Sequence, residues 1–208
     1  MAAPPDRMPV SVPADSTPRA THNRHHWPIL QEWTAGLNDH AIEKAAMRQL
    51  DGELLLDELG VDYLKDAAAF GALPDDAIAY LLKNGRIHAL RKGETLVEAG
   101  DPSGSFYIVL KGALAYYQGS KNHGEHIYDF HCGEAIGFVS MIALTPWPGT
   151  TIAASDSYVL EVTSNLFYTL HCERPLDFGV LLINLSRELA RRILELIQMV
   201  AELKSTGR

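Results

Sequence analysis

Cysteine and long apolar runs are both scarce in this sequence of 208 residues. Its two cysteines, Cys132 and Cys172, are too few for the disulfide framework of a small secreted protein. The apolar run 178–183 stops at Asn184, far short of the length that crosses a bilayer. The first ten residues, MAAPPDRMPV, also lack the charged start and apolar segment of a secretory signal. We therefore expect a cytoplasmic protein without a membrane-spanning segment.

Positive charge is scarce as well. The formal net charge is −8, and no lysine or arginine lies between Lys121 and Arg174. An acidic chain of this kind argues against a constitutive nucleic-acid binder, which usually presents a basic face. We therefore expect no nucleic-acid partner.

Histidines are grouped at two places that deserve a test as metal ligands. The groups are His22, His25 and His26 near the N-terminus, and His123, His126 and His131 beside Cys132. We expect the first group to be solvated side chains of a tail, and the second group lacks the paired cysteine ligands of a structural zinc site. No metal and no cofactor is predicted.

The chain divides by composition into four parts. Residues 1–28 contain six of the 11 prolines, cannot bury enough apolar surface to offset their ordering entropy, and are predicted to form a flexible tail. Residues 29–66 are predicted to form short helices, one of them ending near Gln49, that pack on the next part or dock a partner. Residues 67–172 are predicted to form the main domain, and 173–208 a long C-terminal helix.

The main domain has the pattern of a small antiparallel β structure. Apolar residues alternate in short runs at 95–99, 105–110 and 113–117, and glycines separate these runs. Short strands joined by turns at this spacing are typical of a barrel or a sandwich. A helix that starts at Pro74 is expected to precede the strands.

Several spaced motifs in this domain agree with one known family. They are Lys92-Gly93-Glu94, Gly100-Asp101, Phe106-Tyr107-Ile108-Val109 and Gly112. With them the stretch resembles the cyclic nucleotide-binding domain, the β-roll of catabolite activator protein and of kinase regulatory subunits. The resemblance implies an α+β fold, in which an antiparallel β-roll is flanked by N-terminal helices and a long C-terminal helix.

The cassette that holds the ligand in this family is altered here. The family pattern is Phe-Gly-Glu, a short helix, then Pro-Arg-Ala-Ala-Thr; its Glu accepts a hydrogen bond from the ribose and its Arg holds the cyclic phosphate. In this sequence Gly137 matches the glycine, whereas Phe138 replaces the Glu and Trp147 replaces the Arg, or Pro148 does if the alignment slips by one residue. We expect cyclic AMP and cyclic GMP to bind weakly or not at all, with Phe138 and Trp147 filling the cavity.

The residues assigned to this degenerate pocket share their positions with the family's cassette. They are Gly137, Phe138, Val139, Ser140, Met141, Trp147, Thr150 and Thr151. Ser140, Thr150 and Thr151 keep hydroxyls for an uncharged ligand, although such groups often bond only to nearby backbone.

Leucine recurs every seventh residue near the C-terminus, and the intervening a positions are Ser186, Ile193 and Val200. The predicted dimerisation seam is Leu182, Leu189, Ile193, Leu196, Val200 and Leu203. This composition is typical of a parallel two-stranded coiled coil, and a homodimer is predicted. Leu185, Leu194 and Ile197 lie off the seam and are expected to pack on the roll.

The predicted function is that of a non-enzymatic regulatory module that acts through contacts with another protein. The alternative is a sensor of a non-standard ligand, such as a cyclic dinucleotide or another small effector, through the altered pocket. Catalysis is not expected, because nothing orients Glu134 with its neighbours His131 and Cys132. The sequence ends at Arg208, and no helix-turn-helix domain is expected beside the roll.

Overall fold

The structure is a computed structural model that describes residues 48–119 and 124–206. The predicted tail at 1–28 and the predicted helix at 38–49 lie outside these residues, apart from the last two positions of that helix. Gln49 is in a strand rather than in the predicted helix, because 48–50 pair with β2 along the edge of a sheet.

Six α-helices and one short 3-10 helix occur in the described residues. They are α1 Gly52–Leu59, α2 Val61–Lys65, the 3-10 helix Ala68–Phe70, α3 Asp75–Asn84, α4 Phe138–Ala143, α5 Ser164–Glu173 and α6 Pro175–Thr206. Asp51 caps α1 through its carboxylate, and Thr163 caps α5 by accepting a hydrogen bond from the Leu166 N–H. The start of α3 next to Pro74 is confirmed. None of these helices is both long and apolar enough to cross a membrane.

Nine strands within the described residues form the β-roll. They are β1 Arg48–Leu50, β2 Arg86–Leu90, β3 Thr95–Val97, β4 Ser105–Lys111, β5 Ala113–Gln118, β6 Glu125–His131, β7 Ala135–Ile136, β8 Gly149–Ala153 and β9 Ser157–Thr163. The first sheet has the order β1-β2-β9-β4-β7, and the second has the order β3-β8-β5-β6. All strand pairs within the two sheets are antiparallel. The predicted α+β class with an antiparallel β-roll is confirmed.

The turn between β4 and β5 shows why glycine punctuates the strands. Gly112 has a φ of +85°, a conformation that residues with a β-carbon rarely adopt. A β-carbon built there would lie 2.5 Å from the carbonyl oxygen of Asp156. Glycine at this position therefore lets the hairpin pack against the turn that precedes β9.

Two apolar clusters lie on opposite faces of the first sheet. One face packs against the helices and includes Phe70, Leu81 and Leu185; we call this side the helix side. The other face meets the second sheet around Tyr107 and Trp147; we call this space the roll interior. Alternation along β4 assigns its side chains to one side or the other.

Candidate functional site

The cassette begins where the short strand β7 turns into α4. Gly137 is the residue before α4 and has a φ of +88°. A β-carbon built on Gly137 would lie 2.2 Å from the ring of Trp147, so only glycine fits beneath this ring. The Trp147 side chain therefore covers the start of α4, the place that the resemblance assigns to the cyclic phosphate.

Trp147 is a fixed part of the roll interior. Its side chain is 3% exposed, and its ring centroid lies 6.1 Å from that of Tyr107. Its backbone N–H donates to the carbonyl of Asp101 at 2.9 Å, and its carbonyl accepts from the Gly100 N–H at 2.8 Å. The loop between β3 and β4 thus holds the tryptophan from one side, while the start of α4 holds it from the other.

Phe138 lies on the opposite side of the sheet, and the expectation that it fills the cavity is wrong. Its ring packs edge-to-face on Phe106 and Phe167, with centroid distances of 5.5 and 6.0 Å. These rings belong to the helix side. The first residue of α4 therefore points away from the roll interior, and of the two aromatic replacements only Trp147 occupies it.

The remaining cassette residues are divided between core, surface and local hydrogen bonds. Met141 is buried on the helix side, and Val139 is 54% exposed. The Thr150 hydroxyl donates to the Gly119 carbonyl at 2.8 Å and accepts from the Ala99 N–H at 3.2 Å. Thr151 is fully buried, and its hydroxyl has no hydrogen-bond partner within 48–119 and 124–206.

A buried polar cluster in the roll interior was missed by the sequence analysis. Nε2 of His88 lies 2.8 Å from Oε2 of Glu161, and the Ser105 hydroxyl donates to Oε1 of Glu161 at 2.7 Å. Nδ1 of His88 is buried and has no hydrogen-bond partner in the part of the chain that the structure describes. A sequence signal existed, because Glu161 interrupts the apolar run of β9 at a position that alternates with Val159.

This cluster does not have the geometry of a nucleophile with its base. The Ser105 hydroxyl bonds to the carboxylate rather than to the imidazole, whereas a serine nucleophile needs the imidazole as its proton acceptor. The Glu161 carboxylate instead affects the ionisation of the neighbouring Tyr107. Burial, followed by the charges of Glu161 and Asp101, raises the pKa of Tyr107 well above its ordinary value.

Glu134, the acid named beside His131 and Cys132, stabilises a turn. Its carboxylate accepts from the His131 backbone N–H at 2.7 Å and from the Tyr128 hydroxyl at 3.0 Å. Arg192 of α6 donates to the same carboxylate at 2.5 Å. Cys132 donates instead to the carbonyl of Leu110, so the three neighbours share no reaction centre.

The C-terminal helix changes its surroundings along its length. Leu185 is buried, as expected, and Leu182 of the predicted seam packs against the chain's own helix-side core. Leu194 and Ile197, expected to pack on the roll, are 61% and 59% exposed. The roll does not reach that far along α6. The seam residues beyond the half-buried Leu189 are all exposed: Ile193, Leu196, Val200 and Leu203.

No group of three or more histidine, cysteine or acidic side chains within 48–119 and 124–206 is arranged to hold a metal ion. The two cysteines are unpaired and exposed. His22, His25, His26 and His123 lie outside the described residues.

Comparison with known proteins agrees with the β-roll fold. The family model of the cyclic nucleotide-binding domain matches residues 87–172. The transcriptional activator protein FnrA of Stutzerimonas stutzeri is 32% identical over 116 residues, which are 56% of this chain and 43% of that protein. Lysophospholipase NTE1 of Chaetomium globosum is 30% identical over 106 residues, 50% of this chain and 7% of that protein. The chain thus spans less than half the length of these relatives.

Solved structures show the same fold. A cyclic nucleotide-binding domain from Methylobacillus flagellatus KT superimposes with a TM-score of 0.64 at 22% identity, covering 75% of this chain and 88% of that one. The catabolite activator protein of Thermus thermophilus gives a TM-score of 0.57 at 19% identity, covering 66% of this chain and 63% of that one. Residues 87–172 thus match the family model of the cyclic nucleotide-binding domain, and these solved structures share the fold of the β-roll.

Proposed function

We propose that this chain is a non-enzymatic regulatory protein whose nucleotide pocket is filled by its own side chain and which acts through protein contacts. The observation that carries the proposal is the seat of Trp147 on Gly137. A phosphate at the start of α4 would have to displace a buried ring that packs against Tyr107. The similarity to FnrA, a transcriptional activator, supports the regulatory part of the proposal.

The charges around the pocket also oppose an anionic ligand. The sequence contains no lysine or arginine between Lys121 and Arg174, so the cassette offers no cation to a cyclic phosphate. Glu161 places a carboxylate inside the roll. A phosphate that enters would lose its water without gaining a charge partner, which is strongly unfavourable.

Titration calorimetry with cyclic AMP and cyclic GMP tests this proposal. We expect dissociation constants weaker than about 1 mM, which corresponds to a binding free energy weaker than about −4 kcal/mol. The control is a relative that retains the Glu and the Arg of the cassette. A micromolar constant for either nucleotide would overturn the filled-pocket proposal.

We also infer that the exposed part of α6 joins two copies of the chain. Ile193, Leu196, Val200 and Leu203 follow the a and d positions of a two-stranded coiled coil, and all four are exposed. The exposed seam is only 11 residues long, counted from Ile193 to Leu203. Isolated helices of this length are marginal, so the attachment of α6 to the roll must fix its direction.

Light scattering on two matched variants tests the dimer. Leu196→Asp would bury a charge in the seam of each chain and is expected to give monomers at tens of micromolar protein. Leu194→Asp changes an equally exposed leucine off the seam and is expected to leave the dimer intact. A wild-type monomer, or equal loss in both variants, would contradict the two-stranded seam.

The proposed partner is a protein rather than a nucleic acid, because the chain is acidic. A cytoplasmic location is part of the same proposal. Two exposed, unpaired cysteines support it, since reducing compartments keep thiols free.

The second candidate function is a sensor of a different small ligand, and two unpartnered atoms favour it. Nδ1 of His88 and the hydroxyl of Thr151 are buried, and neither has a hydrogen-bond partner among the described residues. Buried polar groups usually have one, so a water molecule or a polar ligand would satisfy them.

Tryptophan fluorescence can test this second function. The chain has three tryptophans, and with Trp27 and Trp33 changed to phenylalanine only Trp147 remains. A saturable change in its emission on titration with a cyclic dinucleotide would support the sensor. An unchanged spectrum with cyclic dinucleotides would favour the filled pocket.

A further inference from the structure

The attachment of α6 to the roll depends on a group of side chains that the dimer seam and the cassette do not include. The group consists of Glu188 and Arg192 on α6, Tyr128 on β6, Glu134 in the turn before β7, and the backbone of Ala135. We call it the α6 attachment. It lies at the edge of the first sheet, where β7 is the last strand.

The Glu188 carboxyl group accepts the backbone hydrogen bond that a further strand beside β7 would otherwise accept. Ala135 pairs with Ile108 of β4 on one side, which leaves its N–H directed to the open edge. That N–H donates to Oε1 of Glu188 at 3.0 Å and to Oε2 at 3.2 Å. The helix is thereby joined to the strand that leads into Gly137 and α4.

Arg192 joins the next turn of α6 to the same edge. Its guanidinium lies 3.5 Å from the ring centroid of Tyr128 and donates to Glu134 at 2.5 Å. Its other nitrogen donates to Glu195 on α6 at 3.0 Å. Because Glu134 and Glu195 share this arginine, it compensates Glu188 only in part.

We propose that Glu188 makes the α6 attachment sensitive to protonation, so that the helix is held at Ala135 in mildly acidic solution and is held less tightly as the carboxyl ionises. A half-buried carboxyl beside a second carboxylate is unfavourable as an anion. As an acid, the same group still offers its carbonyl oxygen to the Ala135 N–H. The α6 attachment thus couples proton binding by Glu188 to the position of α6.

The charges that face Glu188 agree with this direction. Burial, which is the largest effect, and the charge of Glu134 together raise the pKa of Glu188 to about 7 against the opposing effects of the Ala135 N–H, Arg192 and Arg191. The attached state therefore binds a proton more tightly than a detached, solvated Glu188 would. Attachment is favoured at low pH and is lost as the pH rises through 7.

Hydrogen exchange at the Ala135 amide, corrected for the intrinsic effect of pH on exchange, measures how often the α6 attachment opens. The measurement applies equally to a monomer or a dimer, so its result does not depend on the proposed function. The opening constant should rise by about tenfold between pH 6 and pH 8 in the wild type. Glu188→Gln should abolish this rise, because an amide keeps the acceptor without titrating. Glu98→Gln, an exposed position in the second sheet's loop, is the matched control and should behave as the wild type.

Carbon-13 titration of the Glu188 carboxyl in the wild type supports or overturns the proposal even if Glu188→Gln does not fold. A midpoint near 7 is expected, with a downward shift in Glu134→Gln, since one negative neighbour is removed. A midpoint near 4.5, or an Ala135 opening constant that does not change between pH 6 and pH 8, would overturn the proposal.

Discussion

The two faces of β4 bury very different surroundings. Phe106, Ile108 and Leu110 point to the helix side, where the buried cluster is aromatic and aliphatic and the buried amide of Asn184 donates to the carbonyls of Ala69 and Gly71. Tyr107 points to the roll interior, where it lies between Trp147 and the imidazole of His88. One strand thus separates a mainly apolar core, in which Asn184 is buried, from an interior that contains a carboxylate and two polar atoms without a partner among the described residues.

This difference shows which side of the sheet can change function without loss of the fold. The helix side specifies how α4, α5 and α6 pack, and its rings touch one another in edge-to-face pairs. The roll interior is the place that the family uses for a ligand. Trp147 lies in this interior, in a different apolar cluster from the residues that hold the helices.

The largest expected effect comes from Phe138→Glu, which breaks the helix side. Loss of the ring would cost about 3 to 5 kcal/mol, and burial of a carboxylate among Phe106 and Phe167 adds to this. The sum equals most of the stability of an ordinary domain, so we expect no cooperative urea transition.

Val139→Glu is the matched control for that change. Val139 is the next residue of α4 and is exposed, so the effect should stay within about 0.5 kcal/mol. A folded Phe138→Glu protein would mean that residue 138 faces the roll interior, as the family pattern suggested.

Trp147→Ala tests the roll interior with a smaller expected loss. Removal of a buried tryptophan costs about 3 to 5 kcal/mol when the cavity stays empty. Indole can refill such a cavity, so the midpoint of urea unfolding should fall in the variant and rise again with added indole. A loss without rescue by indole would mean that Gly100 and Asp101 have collapsed into the space.

The roll itself was predictable because its pattern is local. Glycine spacing and alternating apolar residues are read within a few positions of each other, and both sheets follow them. The side of the sheet to which Phe138 points was not predictable from alignment alone. It depends on the left-handed turn at Gly137, which rotates the first residue of α4 towards Phe167.

Long-range pairs account for the rest of what was missed. His88 and Glu161 are 73 positions apart and meet only because β2 lies beside β9. Glu188 and Ala135 are 53 positions apart and meet only because α6 crosses the edge of β7. The exposed leucines of α6 are contacts that were expected or left open from the sequence but are not made within the chain. A heptad pattern does not show how far along the helix the chain's own roll extends.

Glu161→Ala tests the polar part of the interior. The change leaves His88 and Ser105 buried without their shared acceptor, which should cost about 2 kcal/mol in the free energy of unfolding. Glu125→Ala, at an exposed position of β6, is the matched control and should be close to neutral. Equal effects in the two variants would mean that the Glu161 cluster contributes no net stability.

Thr151→Val has the smallest expected effect and separates the two proposed functions. The Thr151 hydroxyl is buried and has no partner in the described part of the chain, so in a filled, dry pocket its removal should stabilise the protein by about 1 kcal/mol. Thr150→Val is the matched control on the same strand, because its hydroxyl has two partners and its loss should cost about 1 kcal/mol or more. Urea unfolding of both variants gives the comparison. If Thr151→Val instead destabilises the protein, the hydroxyl is bonded to a water or a small ligand in solution, and the roll interior is a binding site rather than a closed core.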